Sequence, residues 1–369
     1  MPDLLAPLSS GGVTILSFIL VLGLLVFVHE LGHFVVAKLA GIRVEEFGFG
    51  FPPRMVTLFK KGETEYTINW LPLGGFVRMV GENGEDFQDP RSFASKSRAW
   101  RAAVLLAGSA MNLILPIFLF TFMAMAVGVQ EGPPTHRVEV LGVEPDSPAD
   151  EAGLQVGDEI LYVGAQRVMD VAQLQALIQR FEGRAVAVDV DRNGEMVGFT
   201  MTPRRFGENN QLKIGVLIAN QQELVHYNPL RALIFGFRQT GTLTIGIMQG
   251  FADLIADLFG GRTESVPVAG PIGIMQVTGE VAQTGQLEYI LSFMALLSVN
   301  LAIFNLLPIP GLDGGRLLFV GIEALRGQRI SAEREGLVHL LGIMLLLALM
   351  AFVSVIDIQR LFDGVSVIQ

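Results

Sequence analysis

Four stretches of this chain run for about the length of a membrane-crossing helix, roughly 20 residues, with at most one ionisable group each. No charge interrupts residues 4–28, and the apolar pattern continues to about Val36. Residues 102–130 are broken only by Asn112 and Pro116, residues 289–312 end in Pro308-Ile309-Pro310-Gly311, and residues 336–356 carry His339 alone. Each predicts a membrane-spanning helix. The expected fold class is therefore a membrane α-helical bundle of about four transmembrane helices, at residues 1–36, 102–130, 289–315 and 336–356.

Between the second and third spans the pattern changes to short apolar strands separated by turn residues. Residues 138–143 alternate like a strand, 147–154 read as a short capped helix, 157–163 as a turn and strand, and 171–181 as a helix. Residues 185–191 and 196–202 make a hairpin across Arg192-Asn193-Gly194. These elements predict an inserted α+β domain at residues 131–205. Residues 206–288 follow as amphipathic helices plus a Gly270-Pro271-Ile272-Gly273 segment. Within them, residues 229–259 are rich in Leu, Ile and Phe but carry Arg231, Arg238, Asp253 and Asp257. That spacing suits an amphipathic helix pair, packed on the external domain or lying on the bilayer surface, with an extra span or re-entrant segment as the alternative. Residues 37–101 contain β-prone, aromatic and Gly/Pro-rich segments at 48–55 and 65–79, which predict a hairpin; a loop at 316–335 and a tail at 357–369 complete the chain.

Composition agrees: 51% hydrophobic against 17% charged residues, with a mean hydropathy of +0.49, leaves apolar surface for lipid to cover. Cysteine is absent, so disulfides, thiolate metal sites and a cysteine nucleophile are excluded, and any metal falls to His, Asp or Glu. The net charge of -10 opposes a nucleic-acid partner, which would need clustered Lys and Arg. The cations that are present crowd residues 38–101 and, as Arg316, Arg326, Arg329 and Arg334, the connection between spans three and four. The positive-inside rule places both loops in the cytoplasm, and both termini and residues 131–288 outside.

Near the inner end of the first span stands His29-Glu30-Leu31-Gly32-His33. Residues four apart share a helix face, so His29 and His33 can both offer an imidazole nitrogen to one metal ion, about 2.0–2.1 Å away. Glu30 lies one step round, where it can act as general base without taking a coordination position. Ionisable groups inside a span are costly and mark a functional site. A catalytic zinc takes three protein ligands, and the best third candidate is Asp313, at the cytoplasmic end of span three and so at the depth expected for the histidine pair. It belongs to Asn305-Leu306-Leu307-Pro308-Ile309-Pro310-Gly311-Leu312-Asp313-Gly314-Gly315, whose prolines break the helix.

The pairing of H-E-L-G-H in a first span with N-x-x-P-x-P-x-L-D-G-G in a later one resembles the site-2 protease family of intramembrane zinc metalloproteases, peptidase family M50, in particular its bacterial RseP-type branch. The resemblance extends to Gly108-Ser109-Ala110-Met111-Asn112 in span two, to the Gly270-Pro271-Ile272-Gly273 segment, and to Ser147-Pro148-Ala149 and the residues after it, which are similar to a bacterial PDZ domain. It implies that His29, His33 and Asp313 ligate Zn2+, that Glu30 is the base, and that Asn305 and Pro308 engage substrate. It further implies a bacterial inner-membrane protein with a periplasmic PDZ-like domain, an active site toward the cytoplasm, and a membrane-re-entrant β-hairpin whose edge pairs with unwound substrate. The expected substrates are single-span transmembrane proteins already trimmed outside, such as an anti-sigma factor, or signal-peptide remnants. One departure is that the best-known members of this branch carry two tandem PDZ domains, whereas residues 131–205 have room for one. That domain either binds a newly exposed C-terminus or filters substrates by size. A membrane metal-ion transporter and a non-catalytic PDZ scaffold are the rival readings; the clustering of polar groups at one depth argues against a transport path.

Overall fold

The computed structural model describes residues 10–82, 84, 86–192, 194–206, 211–260 and 270–362. Residues 1–9 of the first expected segment, Asn193 of the expected hairpin turn, residues 207–210 and 261–269 of the 206–288 segment, and 363–369 of the expected tail lie outside the described residues. The chain divides into two compact units, residues 1–125 with 228–369, and residues 126–227.

The first unit holds four helices long and apolar enough to cross a membrane: α1 (Ser10–Leu39), α2 (Arg98–Ala126), α7 (Leu287–Leu306) and α9 (Ala332–Phe362). α1 is 30 residues long, about 45 Å at 1.5 Å per residue, more than a hydrocarbon core requires. α2 ends four residues before the expected boundary, because Val129 already pairs in a strand. Leu307-Pro308 ends α7 at Leu306, and after a non-helical stretch the chain re-enters a helix, α8 (Asp313–Arg326), where a loop was expected from residue 316. Two glycines at the start of α8 permit this tight return: a Cβ on Gly314 would stand 2.2 Å from the Leu307 carbonyl oxygen. A second departure is α5 (Pro229–Gly260), one continuous helix instead of a pair, which packs on α7 through Phe251 against Phe304 (ring centroids 5.2 Å). α6 (Pro271–Gln283) begins at the Gly-Pro pair, and Asp357 of α9 caps it by accepting from the Gly270 and Gly273 amides at 3.2 and 2.9 Å.

The hairpin of the first unit is built from β1 (Val44–Lys61) and β2 (Thr64–Met79), each bent at mid-length. Residues 46–49 pair on one side with 65–68 and on the other with 75–78, while 54–61 continue beyond 64–69. The strand segments therefore lie in the order 54–61, 64–69, 44–49, 75–79, and residues 75–79 form an edge, paired with 44–49 on one side and with no second strand on the other among the described residues. Val44, Phe47, Val77 and Met79 bury one face against Ala37 of α1, Val104 and Leu105 of α2, and Val320 of α8.

The second unit is an antiparallel sheet in the order β10–β3–β4–β6–β7, formed by β3 (Val129–Val143), β4 (Glu159–Val163), β6 (Val186–Arg192), β7 (Glu195–Met201) and β10 (Val216–Val225). Short β5 (Gln166–Arg167) pairs with β4, and β8 (Arg204–Phe206) pairs with β9 (Gln211–Lys213). Helix α3 (Pro148–Ala152) is capped by Ser147, whose hydroxyl accepts from the Asp150 amide, and α4 (Val171–Gln179) by Asp170. Val138, Val140, Ile160, Leu174, Val188 and Val190 form the core. The expected limit at residue 205 falls short, since β10 closes the sheet against β3 and Ile214 belongs to the core.

Candidate metal centre

Three side chains from distant parts of the first unit converge at the mouth of α8. His29 and His33 lie one turn apart on α1, both buried, with their rings edge to face, and Asp313 opens α8 opposite them. The Oδ2 atom of Asp313 lies 3.0 Å from Nε2 of His29 and 3.2 Å from Nε2 of His33, and the two Nε2 atoms are 3.1 Å apart. Among the described residues this is a set of three potential metal ligands facing one point. A zinc ion held tetrahedrally at about 2.0–2.1 Å needs ligand atoms roughly 3.3–3.4 Å apart. The observed triangle meets that requirement after outward shifts of a few tenths of an ångström.

The outward-facing nitrogens fit the same group. Nδ1 of His33 lies 2.8 Å from the Val104 carbonyl oxygen, which can only accept, so Nδ1 carries the proton and the Nε2 lone pair faces the triangle. His29 Nδ1 is 3.2 Å from the Asn112 carboxamide, whose Oδ1 is buried without a partner. Turning the carboxamide so that Oδ1 accepts from Nδ1–H satisfies that oxygen and leaves the second Nε2 lone pair facing inward. Asp313 occupies the first turn of α8, where the helix dipole favours a carboxylate.

Backbone proximity makes the arrangement possible. A Cβ on Gly108 of α2 would stand 2.4 Å from His33 Nε2 and 2.6 Å from His29 Nε2. One on Gly32 would meet the Ala107 carbonyl at 2.3 Å, so α1 and α2 touch through glycine on both sides of the imidazoles.

Glu30 lines a cleft of about 260 Å³ together with His33, Asp313, Arg316, Glu82 and the edge-strand residues Gly75, Phe76 and Val77. A Cβ on Gly75 would lie 2.9 Å from Glu30 Cβ, so the hairpin edge runs directly over this carboxylate. A carboxylate, a set of candidate metal ligands and a strand edge thus share one cavity, a layout suited to attack on an extended peptide.

The two remaining expected residues lie apart from this cavity. Asn305, in the last turn of α7, donates to the Leu301 carbonyl of its own helix at 2.9 Å, and Pro308 is exposed in the stretch before α8. Neither lines the cleft. Sequence reasoning gave no separate part to Asn112 or to the Arg316–Glu82 pair. A buried Asn inside an otherwise apolar span was the available signal for the first; nothing in the sequence pairs the other two.

Comparison with known proteins covers nearly the whole chain. The profile of Peptidase family M50 matches residues 17–349. Zinc metalloprotease RasP of Oceanobacillus iheyensis is 31% identical over 436 residues, covering 95% of this chain and 99% of the relative. Regulator of sigma-W protease RasP of Bacillus subtilis is also 31% identical, over 430 residues, with 95% and 99% covered. Among solved structures, the PDZ domain of an SdrC-like protein from Listeria innocua aligns at 22% identity over 25% of this chain and 99% of that one, with a TM-score of 0.21.

Proposed function

The chain belongs to peptidase family M50, the zinc metalloproteases, and on that premise we propose that His29, His33 and Asp313 hold its zinc while Glu30 is the general base of intramembrane peptide hydrolysis. The observation that carries this reading is the triangle of ligand atoms with edges of 3.0–3.2 Å, drawn from residues 284 positions apart in sequence.

When bound, zinc supplies Lewis-acid activation of a water molecule and of the scissile carbonyl. Glu30 takes the proton from the attacking water and delivers it to the leaving amine nitrogen. Val104 and Asn112 hold the two imidazoles with their Nε2 lone pairs inward. Residues 75–79 receive the substrate as an added strand beside Glu30, which solves an otherwise severe problem: inside a helix the scissile carbonyl is hydrogen-bonded and sheathed by side chains. Asn305 and Pro308 engage the substrate from the end of α7.

The substrate is a single-span membrane protein already shortened outside the bilayer, anti-sigma-factor-like or a signal-peptide remnant; the sigma-W regulator among the relatives supports the former. The protein sits in a bacterial inner membrane, with the cation-rich hairpin and α8 cytoplasmic and the sheet unit outside. In that unit a groove of about 740 Å³ between α4 and the Ile214-Gly215-Val216 run leaves space for an extended peptide end. That space supports C-terminus capture as well as filtering by size.

The test uses purified protein and a model transmembrane substrate. Glu30→Gln is expected to keep one zinc per chain and lose cleavage by 10²-fold or more, on the order of a general base's contribution. Asp313→Asn is expected to lose zinc by metal analysis. Cleavage by the first variant, or undiminished zinc in the second, removes that residue from its role.

A further inference from the structure

We propose that the Arg316–Glu82 ion pair is a strap that fixes the register of an extended substrate against the metal centre, with both side chains acting as positioning residues. The proposal rests on the reading above, in which residues 75–79 receive the substrate strand.

Arg316 stands one helical turn after Asp313, on the same face of α8. Its Nη1 donates to Glu82 Oε1 at 2.5 Å, with the two side chains 30% and 26% exposed in the cleft. Glu82 lies three residues beyond Met79, where β2 ends. The edge segment is therefore tied at both ends: Gly75 is pressed against Glu30 and Phe27 of α1, and Glu82 is joined to the helix that carries Asp313.

α8 has a second, separate anchor. Glu323, near the other end of α8, is held by Arg101 at 2.6 Å and by Arg98 and Arg329 at 3.3 Å. What Arg316 adds is a link from α8 to the exit of the edge strand. Such a link has a use in this chemistry. Strand addition is specified by backbone hydrogen bonds, and a slip of two residues, about 7 Å, returns every side chain to its original face. An edge therefore selects a scissile bond only if it is itself fixed relative to the reacting groups. Arg316, on the helix that carries Asp313 and in the same cleft as Glu30, makes that link directly between the edge strand's exit and the reacting groups.

The experiment uses the full chain with a model transmembrane substrate, reading kcat/KM, zinc content and the masses of the products for Arg316→Gln, Glu82→Gln, Arg316→Lys and the charge swap E82R/R316E. Each glutamine variant is expected to keep its zinc, to lose kcat/KM on the order of ten-fold, and to spread cleavage to bonds two residues from the principal one. Arg316→Lys, which keeps the charge without the planar fork, is expected to fall between. The swap is expected to restore the single product. Glutamine variants that cleave only the wild-type bond overturn the strap, whatever their rate, and so does a swap whose products remain spread. Failure of the catalytic part of that reading shows separately, as cleavage by Glu30→Gln.

Discussion

At the scale of single residues, two kinds of position make up the proposed centre: those that would contribute an atom and those that contribute the lack of one. His29, His33, Glu30 and Asp313 are of the first kind, and Gly108 is of the second, because its missing side chain is the space in which two imidazole nitrogens stand. Gly108→Ala places a Cβ within 2.4–2.6 Å of both rings. Since α2 is also tied to His33 through the Val104 carbonyl, the rings and not the helix must give way. Zinc content is expected to drop and cleavage to fall on the order of 10²-fold, with the helical circular-dichroism signal unchanged. Full zinc occupancy in this variant would show that the imidazoles have room the packing denies them.

Among the elements, α8 decides most. It turns the end of a span into a presentation surface: Asp313 at its first turn, Arg316 one turn on, and Glu323 further along, where three guanidinium groups meet it. Burial alone would raise the Glu323 carboxyl, but its hydrogen bond from Arg101 and those charges outweigh burial and hold it below the ordinary carboxylate range. A carboxyl whose folded pKa lies below its unfolded value, about 4.3, stabilises the fold fully above that value and loses the contribution as pH falls through the folded one. Glu323→Gln is expected to cost about 2–3 kcal/mol near pH 7, because it leaves the buried Arg101 guanidinium short of its charged partner. In thermal unfolding of the detergent-solubilised protein, the gap from wild type is expected to narrow below about pH 4. A gap that does not change with pH would mean that Glu323 acts through shape and not charge. The hairpin teaches a similar lesson about elements: its two strands, read separately, look like one ladder, yet their mid-length bends make four strand segments and place 75–79 at an edge.

For the molecule as a whole, the boundary of the inserted unit matters. Residues 216–225 form a strand whose partner, β3, lies about 80 residues earlier, and Ile214 with Val216 and Ile218 completes the sheet unit's core. A fragment of residues 126–227 is expected to unfold in one cooperative transition. One of residues 131–205 is expected to show none, since it lacks β10 and leaves β3 as an open edge. Circular-dichroism melting of both fragments checks this, and equal cooperativity would restore the shorter boundary.

The sequence by itself determined four membrane-length helices, an inserted sheet unit, and the identities of the histidine pair, its neighbouring glutamate and Asp313. All but Asp313 are written in local patterns: apolar run length, period-two alternation, and the four-residue spacing that puts two imidazoles on one helix face; Asp313 was marked by its place at the end of a span, at the depth expected for the histidines. Pairing across large sequence distances has no such local signature, because what selects it is the summed fit of many contacts. Tertiary structure alone therefore decided that Asp313 lies 3.0 Å from His29, that Asn112 and Val104 orient the rings, that residues 229–260 make one helix, that β10 closes the sheet, and that Glu82 meets Arg316.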